Sequence, residues 1–146
     1  MKQIKTLFRS LPPALLILLF VYAAVSKLAA FSQFKGEMHN QNMPAEAAAL
    51  LVYLVPAAEL AAAFMLLTTK AQRPGLLLSI VLMALFTGYI ALVLAGFWDR
   101  VPCSCGGVLK GMSWGTHLVF NLFFLLLTVL GIVIENRERR FVGKQG

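Results

Sequence analysis

Four long apolar stretches separated by short polar segments dominate the pattern of this chain. They cover about residues 11–30, 47–69, 74–97 and 114–134. Each is long enough for a helix, rising roughly 1.5 Å per residue, to cross a hydrocarbon core of about 30 Å. Because a backbone in lipid must form its hydrogen bonds within its own segment, the pattern predicts an all-α membrane bundle of four helices in one domain.

Prolines refine this prediction. Pro12 and Pro13 suit the first turn of the first helix, where a missing N–H group loses no helical partner, and Pro74 suits the same place in the third helix. Pro56 falls inside the second helix and is expected to kink it.

The composition fits a lipid environment better than water. Hydrophobic residues make up 60% of the 146 residues and charged residues only 13%, whereas soluble domains carry roughly 25% charged residues. The net charge is +7, but the basic residues lie at the chain ends and in short loops and form no stripe with interleaved aromatic residues. The lipid bilayer is therefore an expected partner, and nucleic acid is not.

The basic residues also predict the orientation. Lys and Arg are concentrated on the cytoplasmic side of membrane proteins. One side of the predicted bundle has nine of them: Lys2, Lys5, Arg9, Lys70, Arg73, Arg137, Arg139, Arg140 and Lys144. The other side has four: Lys27, Lys35, Arg100 and Lys110. Both termini are therefore expected in the cytoplasm, with the loops at about residues 31–46 and 98–115 facing outward.

A cleaved signal peptide is an alternative interpretation of the first stretch. Basic residues precede it, and small residues follow near residues 28–30. Lys27 would be an awkward neighbour for such a cleavage site, so we expect a retained membrane span.

Both cysteines of the chain lie in the second outward loop, one residue apart, and two glycines follow them. On that side Cys103 and Cys105 would face an oxidising compartment. A disulfide between them would close a very small, strained ring, and strained exposed disulfides are typically labile or catalytic. Since the bond would constrain only three residues, it would add little as a structural staple. The pair therefore favours a redox function.

Two other interpretations of the cysteine pair stay open. Two thiolates together with His117 or His39 could bind copper or zinc. Alternatively, the pair could be structural or incidental.

An acidic residue, Glu59, lies near the middle of the second span, where a charge costs about 2.5–3.5 kcal/mol. Lys27 lies one turn from the outer end of the first span, about 11–12 Å away in depth. A direct ion pair, a lysine that extends to the interface and a protonated Glu59 bonded to another helix are all open. Glu59 could contact a proton or a quinone headgroup, or stabilise helix packing.

Polar and aromatic residues share one face of the fourth helix, at spacings of three, four and seven: Trp114, His117, Asn121 and Thr128. Trp114 is expected at the outer interface. His117 lies one turn deeper and could take a proton from a thiol or a hydroquinone, because histidine titrates near neutral pH; a purely structural hydrogen bond is the alternative. Small residues form a stripe on the third helix that predicts close helix packing: Ala84, Gly88, Ala91 and Ala95.

Three fragments resemble the MauE/DoxX group of small bacterial membrane proteins. They are the runs at residues 22–28 and 56–60, and the cysteine run at residues 101–107 followed by Ser113, Trp114 and His117. The resemblance covers nearly the whole chain and implies a four-helix bundle in the bacterial inner membrane. MauE is associated with periplasmic disulfide formation in an exported enzyme, and DoxX with quinone-coupled sulfur oxidation.

The bundle is also similar to those of DsbB and vitamin K epoxide reductase. Those enzymes pass electrons through two cysteine pairs, whereas this chain has one. A second pair would then lie on a partner, or the single pair would not pass electrons to a quinone.

These patterns lead to one main hypothesis and two alternatives. The main hypothesis is a membrane thiol–disulfide redox protein in which Cys103 and Cys105 exchange electrons with a periplasmic thioredoxin-like or exported partner. His117 would assist proton transfer, and a membrane quinone would be contacted by four residues: Glu59, Lys27, Trp114 and Asn121. The alternatives are a non-enzymatic accessory subunit of an envelope complex and a copper- or zinc-handling protein.

Overall fold

The computed structural model of the chain describes residues 2–99 and 112–142, and this part contains five helices and no strand. The helices are α1 (Lys2–Ala29), α2 (Phe31–His39), α3 (Ala45–Leu67), α4 (Gln72–Leu94) and α5 (Trp114–Val142). All except α2 contain a segment of at least 21 residues that is long and apolar enough to cross a membrane. The prediction of an all-α membrane bundle of four helices is confirmed.

The four long helices form a closed ring. Each packs against the long helix before or after it in the chain, and α1 packs against α5. Arg9 near the start of α1 forms an ion pair with Glu138 near the end of α5, with a nitrogen–oxygen distance of 3.0 Å, so these two helices run antiparallel. One end of the bundle therefore carries the end of α1, α2 and the start of α5; we call it the α2 end.

Five polar residues inside the membrane-crossing segments are buried in the bundle: Glu59, Ser79, Thr87, Asn121 and Thr128. The Ser79 hydroxyl donates to the carbonyl of Gly75 at 2.7 Å, and the Thr128 hydroxyl donates to the carbonyl of Phe124 at 2.7 Å. Because lipid offers no hydrogen-bond partner, a polar side chain is more stable inside the bundle than on its lipid face.

Two helices, α1 and α5, extend well beyond the stretches that hydropathy marks. α1 begins at residue 2, so Pro12 and Pro13 lie inside the helix and not in its first turn, which corrects that prediction. α5 continues past residue 134 to Val142, where an Arg139–Glu135 pair at 3.0 Å supports the polar extension. Hydropathy reports where a chain meets lipid, whereas a helix continues as long as its backbone bonds remain favourable.

The nine-residue helix α2 lies in the outward loop that was predicted at about residues 31–46. Its buried side chains Phe34 and Met38 pack with Ala48 and Val52 of α3. The other residues of α2 are half-buried or exposed. The helix is therefore amphipathic, and its apolar side packs on α3 at the α2 end of the bundle.

The stripe of small residues on α4 packs against no helix in the part of the chain that is described. Ala84, Gly88, Ala91 and Ala95 are all exposed, and a β-carbon added at Gly88 would meet nothing within 4 Å. The prediction that this stripe brings helices of the bundle together is wrong for this chain. The face of α4 that packs inward carries larger residues, among them Leu76, Met83 and Ile90.

Close helix approach occurs instead at Gly75, in the first turn of α4. A β-carbon there would lie 3.0 Å from the β-carbon of Met65 and 3.1 Å from the backbone nitrogen of Leu66. We expect Gly75→Val to destabilise the protein by about 1–3 kcal/mol, because overpacking a tight contact forces the backbone apart. Gly88→Val on the same helix is the matched control and should leave the thermal unfolding midpoint in detergent nearly unchanged. Equal shifts for both variants would contradict this packing.

Candidate functional site

A cavity of about 140 Å³ lies in the half of the bundle nearest the α2 end. All five helices contribute to its wall, which is mainly apolar and rich in aromatic rings. Five lining residues carry polar side chains: Lys27, Glu59, Tyr89, His117 and Asn121. A mostly apolar cavity with a few converging polar groups is typical of a small-molecule site.

Lys27 and Glu59 form a direct ion pair across the α1–α3 contact. The Nζ atom of Lys27 lies 2.8 Å from Oε1 and 3.1 Å from Oε2 of Glu59, and it also donates to the carbonyl of Ala23 at 3.3 Å. The Glu59 side chain is 2% exposed and that of Lys27 is 14% exposed. Of the three interpretations left open by the sequence, the structure supports the ion pair.

The position of Lys27 explains why the pair can form despite the difference in depth. Lys27 lies in the last turn of α1, and its long side chain turns into the bundle instead of towards the interface. The Nζ atom lies 5.9 Å from the centre of the Phe34 ring of α2, within the range of a cation–π contact. The amine is thus held between a carboxylate below and an aromatic ring beside it.

The polar face of α5 faces this cavity. Trp114, His117 and Asn121 all line it, and the rings of Trp114 and His117 stack with centres 6.4 Å apart. The Asn121 side chain is only 6% exposed. Thr128, two turns further along, is buried but donates to its own helix. The structure therefore brings together at one cavity the five described residues of the main hypothesis: Lys27, Glu59, Trp114, His117 and Asn121.

The sequence did not point to a second polar contact beside the cavity. The Tyr89 hydroxyl of α4 donates to the amide oxygen of Gln41, which lies between α2 and α3 and is 4% exposed. The Gln41 amide in turn donates to the carbonyl of Glu37 at 3.1 Å. The chain between α2 and α3 is thereby attached to α4. A single glutamine in a polar loop carries no pattern that predicts this contact.

Two tryptophans, one on either side of the cysteines in the sequence, lie at the wall of this cavity. Cys103 and Cys105 themselves lie outside the described residues. Before them, Trp98 stacks against the cavity-lining Tyr89, with ring centres 5.5 Å apart. After them, Trp114 lines the cavity at the start of α5. The residues that flank the segment on both sides thus contact or line the same cavity.

No group of three or more His, Cys, Asp or Glu side chains that could hold a metal ion occurs among the residues described. His39 is exposed on α2 and does not line the cavity, whereas His117 does. A metal site built on Cys103 and Cys105 involves residues outside the described ranges. That alternative stays a prediction.

Comparison with known proteins identifies relatives of this chain. Residues 5–134 match the family model of methylamine utilisation protein MauE. The methylamine utilization protein MauE of Paracoccus denitrificans is 31% identical over 122 residues, which cover 82% of this chain and 63% of that relative. The chain therefore spans less than two thirds of the length of this relative. No solved structure matches the chain significantly. On the extent of the family match, this multi-pass membrane protein belongs to the MauE family.

Proposed function

We propose that this protein is a membrane thiol–disulfide redox protein in which Cys103 and Cys105 exchange electrons with a thioredoxin-like or exported partner. The observation that carries this proposal is the position of the tryptophans on either side of the two cysteines in the sequence. Trp98 stacks against the cavity-lining Tyr89, and Trp114 lines the cavity, which also holds the buried Lys27–Glu59 ion pair. Cys103 follows Trp98 by five positions in the sequence, a reach of at most about 18 Å for an extended chain.

The exchange itself would follow ordinary thiol–disulfide chemistry. A thiolate of one cysteine attacks a disulfide of the partner and forms a mixed disulfide, and the second cysteine then displaces the partner. The partner gains two electrons and two protons and becomes a dithiol, while Cys103 and Cys105 form a disulfide. The reverse sequence oxidises the partner.

A membrane quinone is the proposed partner for the same two electrons and two protons, which it can accept or supply as the quinone–hydroquinone couple. The cavity suits a ring of this kind. Its volume of about 140 Å³ is close to the roughly 150 Å³ of an apolar protein cavity known to admit benzene. Its walls include the rings of Phe20, Phe86 and Phe120, against which a planar ring can pack.

The ionisable residues of the cavity would transfer protons and balance charge. His117 is half-buried and lines the cavity one turn after Trp114, and an imidazole there could take a proton from a thiol or return it. Lys27 and Glu59 form the polar floor and carry opposite charges. The protein would lie in a bacterial inner membrane with both termini on the cytoplasmic side, and the cysteines would then face the periplasm.

The Cys103→Ser, Cys105→Ser double variant tests the exchange. We expect it to lose thiol exchange completely while the bundle remains folded, because the four long helices pack together through other residues. Purified protein in nanodiscs would be mixed with reduced or oxidised thioredoxin, and mass spectrometry after thiol trapping would follow both proteins. Ser104→Ala in the same segment is the control and should exchange like the wild type. A wild-type pair that exchanges with neither form of thioredoxin would contradict the proposal.

A non-enzymatic accessory subunit is the second candidate, and the exposed stripe on α4 favours it. That face presents Ala84, Gly88, Ala91 and Ala95 to the surroundings of this chain, and small residues allow another membrane helix to approach closely. Under this proposal the protein would belong to a larger envelope complex. Full function and unchanged co-purification of a partner in the double cysteine variant would favour the accessory role over the redox role.

A further inference from the structure

The end of the bundle opposite the α2 end has an excess of positive charge. Among the side chains that the structure describes, six cations lie there beside two carboxylates. We call it the basic end, and its cations are Arg9, Lys70, Arg73, Arg137, Arg139 and Arg140. We propose that the basic end binds an anionic phospholipid of the bilayer, with the phosphate at the cations and the acyl chains along α4 and α5. This inference is independent of the proposed redox function.

Two of the six cations already have a carboxylate partner. Arg9 pairs with Glu138 and Arg139 pairs with Glu135, each with a nitrogen–oxygen distance of 3.0 Å. The other four are exposed and form no ion pair within residues 2–99 and 112–142: Lys70, Arg73, Arg137 and Arg140. Because both carboxylates of the basic end are occupied, these four cations are available to an anion from outside the chain.

The α2 end shows no such excess in the part of the chain that is described. There Lys27 and Glu59 neutralise each other inside the bundle. The remaining charges of that end are one exposed lysine and three carboxylates that are exposed or half-buried: Lys35, Glu37, Glu46 and Asp99. The described charges therefore attract an anion to the basic end and not to the α2 end.

The two arginines of α5 continue a helix face that is apolar and exposed. Arg137 and Arg140 follow Leu126, Leu130 and Val133 at alternating spacings of four and three residues, which place all five on one side of the helix. The three apolar side chains are exposed, as are both arginines. This side of α5 thus offers an apolar surface that ends in positive charge.

Arg73 stands at the end of a similar face on α4. Leu77, Val81 and Leu85 follow it at intervals of four residues, and all four side chains are exposed. A molecule that matches both faces has apolar chains and an anionic head. A phospholipid has this shape, whereas a nucleic acid or an acidic soluble protein would match only the charge.

The contact between α4 and α5 brings these two faces to the same end of one helix pair. A β-carbon added at Gly131 would lie 3.1 Å from a δ-carbon of Leu76, so these two residues lie at the same depth. Arg73 lies one turn beyond Leu76, and Arg137 lies about two turns beyond Gly131, both towards the basic end. Neighbouring helices present the cations side by side.

The cations also lie at the depth of the lipid headgroups. The fourth apolar stretch ends near residue 134, so Arg137 begins about 4.5 Å and Arg140 about 9 Å beyond it. The headgroup layer is roughly 5–8 Å thick on each side of the hydrocarbon core. The long arginine side chains reach back into this layer, where a guanidinium can form two parallel hydrogen bonds with a phosphate.

Native mass spectrometry of the full-length protein in detergent tests this inference. Titration with phosphatidylglycerol and with phosphatidylcholine of the same acyl chains would give the two dissociation constants. We expect the wild type to bind phosphatidylglycerol at least tenfold more tightly, because the choline group brings a positive charge to the same cations. Glycerol 3-phosphate and inorganic phosphate, which lack acyl chains, should displace the lipid poorly.

The Arg137→Gln, Arg140→Gln variant should bind phosphatidylglycerol at least tenfold more weakly, since each cation near an anionic lipid surface contributes about fivefold. The Arg137→Lys, Arg140→Lys variant keeps the charge and should retain most of the affinity. Lys35→Gln removes an exposed cation at the α2 end and is the control, with an expected change of less than twofold.

Four results would overturn the inference. They are equal binding of the two lipids by the wild type, unchanged binding in the glutamine variant, a lysine variant as weak as the glutamine variant, and displacement by glycerol 3-phosphate or inorganic phosphate as effective as by the lipid. The last result would assign the basic end to a soluble anion. The first is measured on the unaltered protein, so it does not depend on how any variant folds.

Discussion

Replacing Lys27 by methionine is expected to destabilise the bundle by about 3–5 kcal/mol. The substitution leaves the carboxylate of Glu59, which is 2% exposed, without the amine that lies 2.8 Å away in the wild type. An isolated charge inside a membrane bundle is poorly solvated, and Glu59 is too short and too deep to reach either interface. Glu59→Leu should be milder, because Lys27 in the last turn of α1 can extend outward to the headgroups.

The double variant Lys27→Met, Glu59→Leu should recover most of the lost stability. It removes both charges, and apolar side chains of similar volume often replace a buried ion pair with little loss. Unfolding of the four proteins in mixed micelles, followed by circular dichroism, would give the free energy of unfolding for a double-mutant cycle. Losses that simply add would mean that the two side chains do not interact.

Lys35→Met is the control for the removal of a lysine at the same end of the bundle. Lys35 is exposed on α2, so its replacement should change the free energy of unfolding by less than about 0.5 kcal/mol. The stable double variant also separates folding from chemistry. If it folds well but no longer binds quinone, the pair contributes to the site and not only to the bundle.

The sequence predicted the four spans well because lipid imposes a simple requirement. A segment must be apolar and about 20 residues long to cross the bilayer, and hydropathy measures both. The helix ends were less accurate, since polar residues such as Glu135 and Arg139 continue α5 outside the apolar stretch. Helix α2 was missed because a nine-residue helix produces no long apolar run. Its signal was local, in the spacing of Phe31, Phe34 and Met38.

The sequence could not predict which face of each helix packs inward. In a soluble helix the apolar face marks the core, but in lipid both the core and the surface favour apolar residues. The small residues of α4 therefore suggested an inner face that proved exposed. The polar residues were the better guide, because Glu59 and Asn121 are both buried.

The candidate site was only partly predictable for a related reason. Spacing along α5 placed Trp114, His117 and Asn121 on one face, and the structure has all three lining the cavity. Depth in the membrane alone could not decide whether Lys27 and Glu59 form an ion pair. Helix packing and side-chain direction determine whether an amine reaches a carboxylate. The Tyr89–Gln41 contact joins residues 48 positions apart and depends on the fold of the whole bundle.

A membrane-impermeant maleimide is expected to label the two native cysteines from one side of the membrane only. The excess of nine basic residues over four predicts that Cys103 and Cys105 lie outside the cytoplasm. After mild reduction of intact spheroplasts, we expect complete labelling from the outside. The chain contains only these two cysteines, so the wild type is its own reporter.

Two engineered positions in the variant without native cysteines make this result decisive. Ser113→Cys lies just before α5 at the α2 end and is exposed, so it should react from the outside. Thr69→Cys lies between α3 and α4 at the opposite end and is also exposed, so it should react only after the membrane is permeabilised. If Thr69→Cys reacted from the outside and the native pair only from within, the thiols would face the reducing cytosol. A stable disulfide would then be disfavoured there, and an oxidising partner outside the membrane could not reach it.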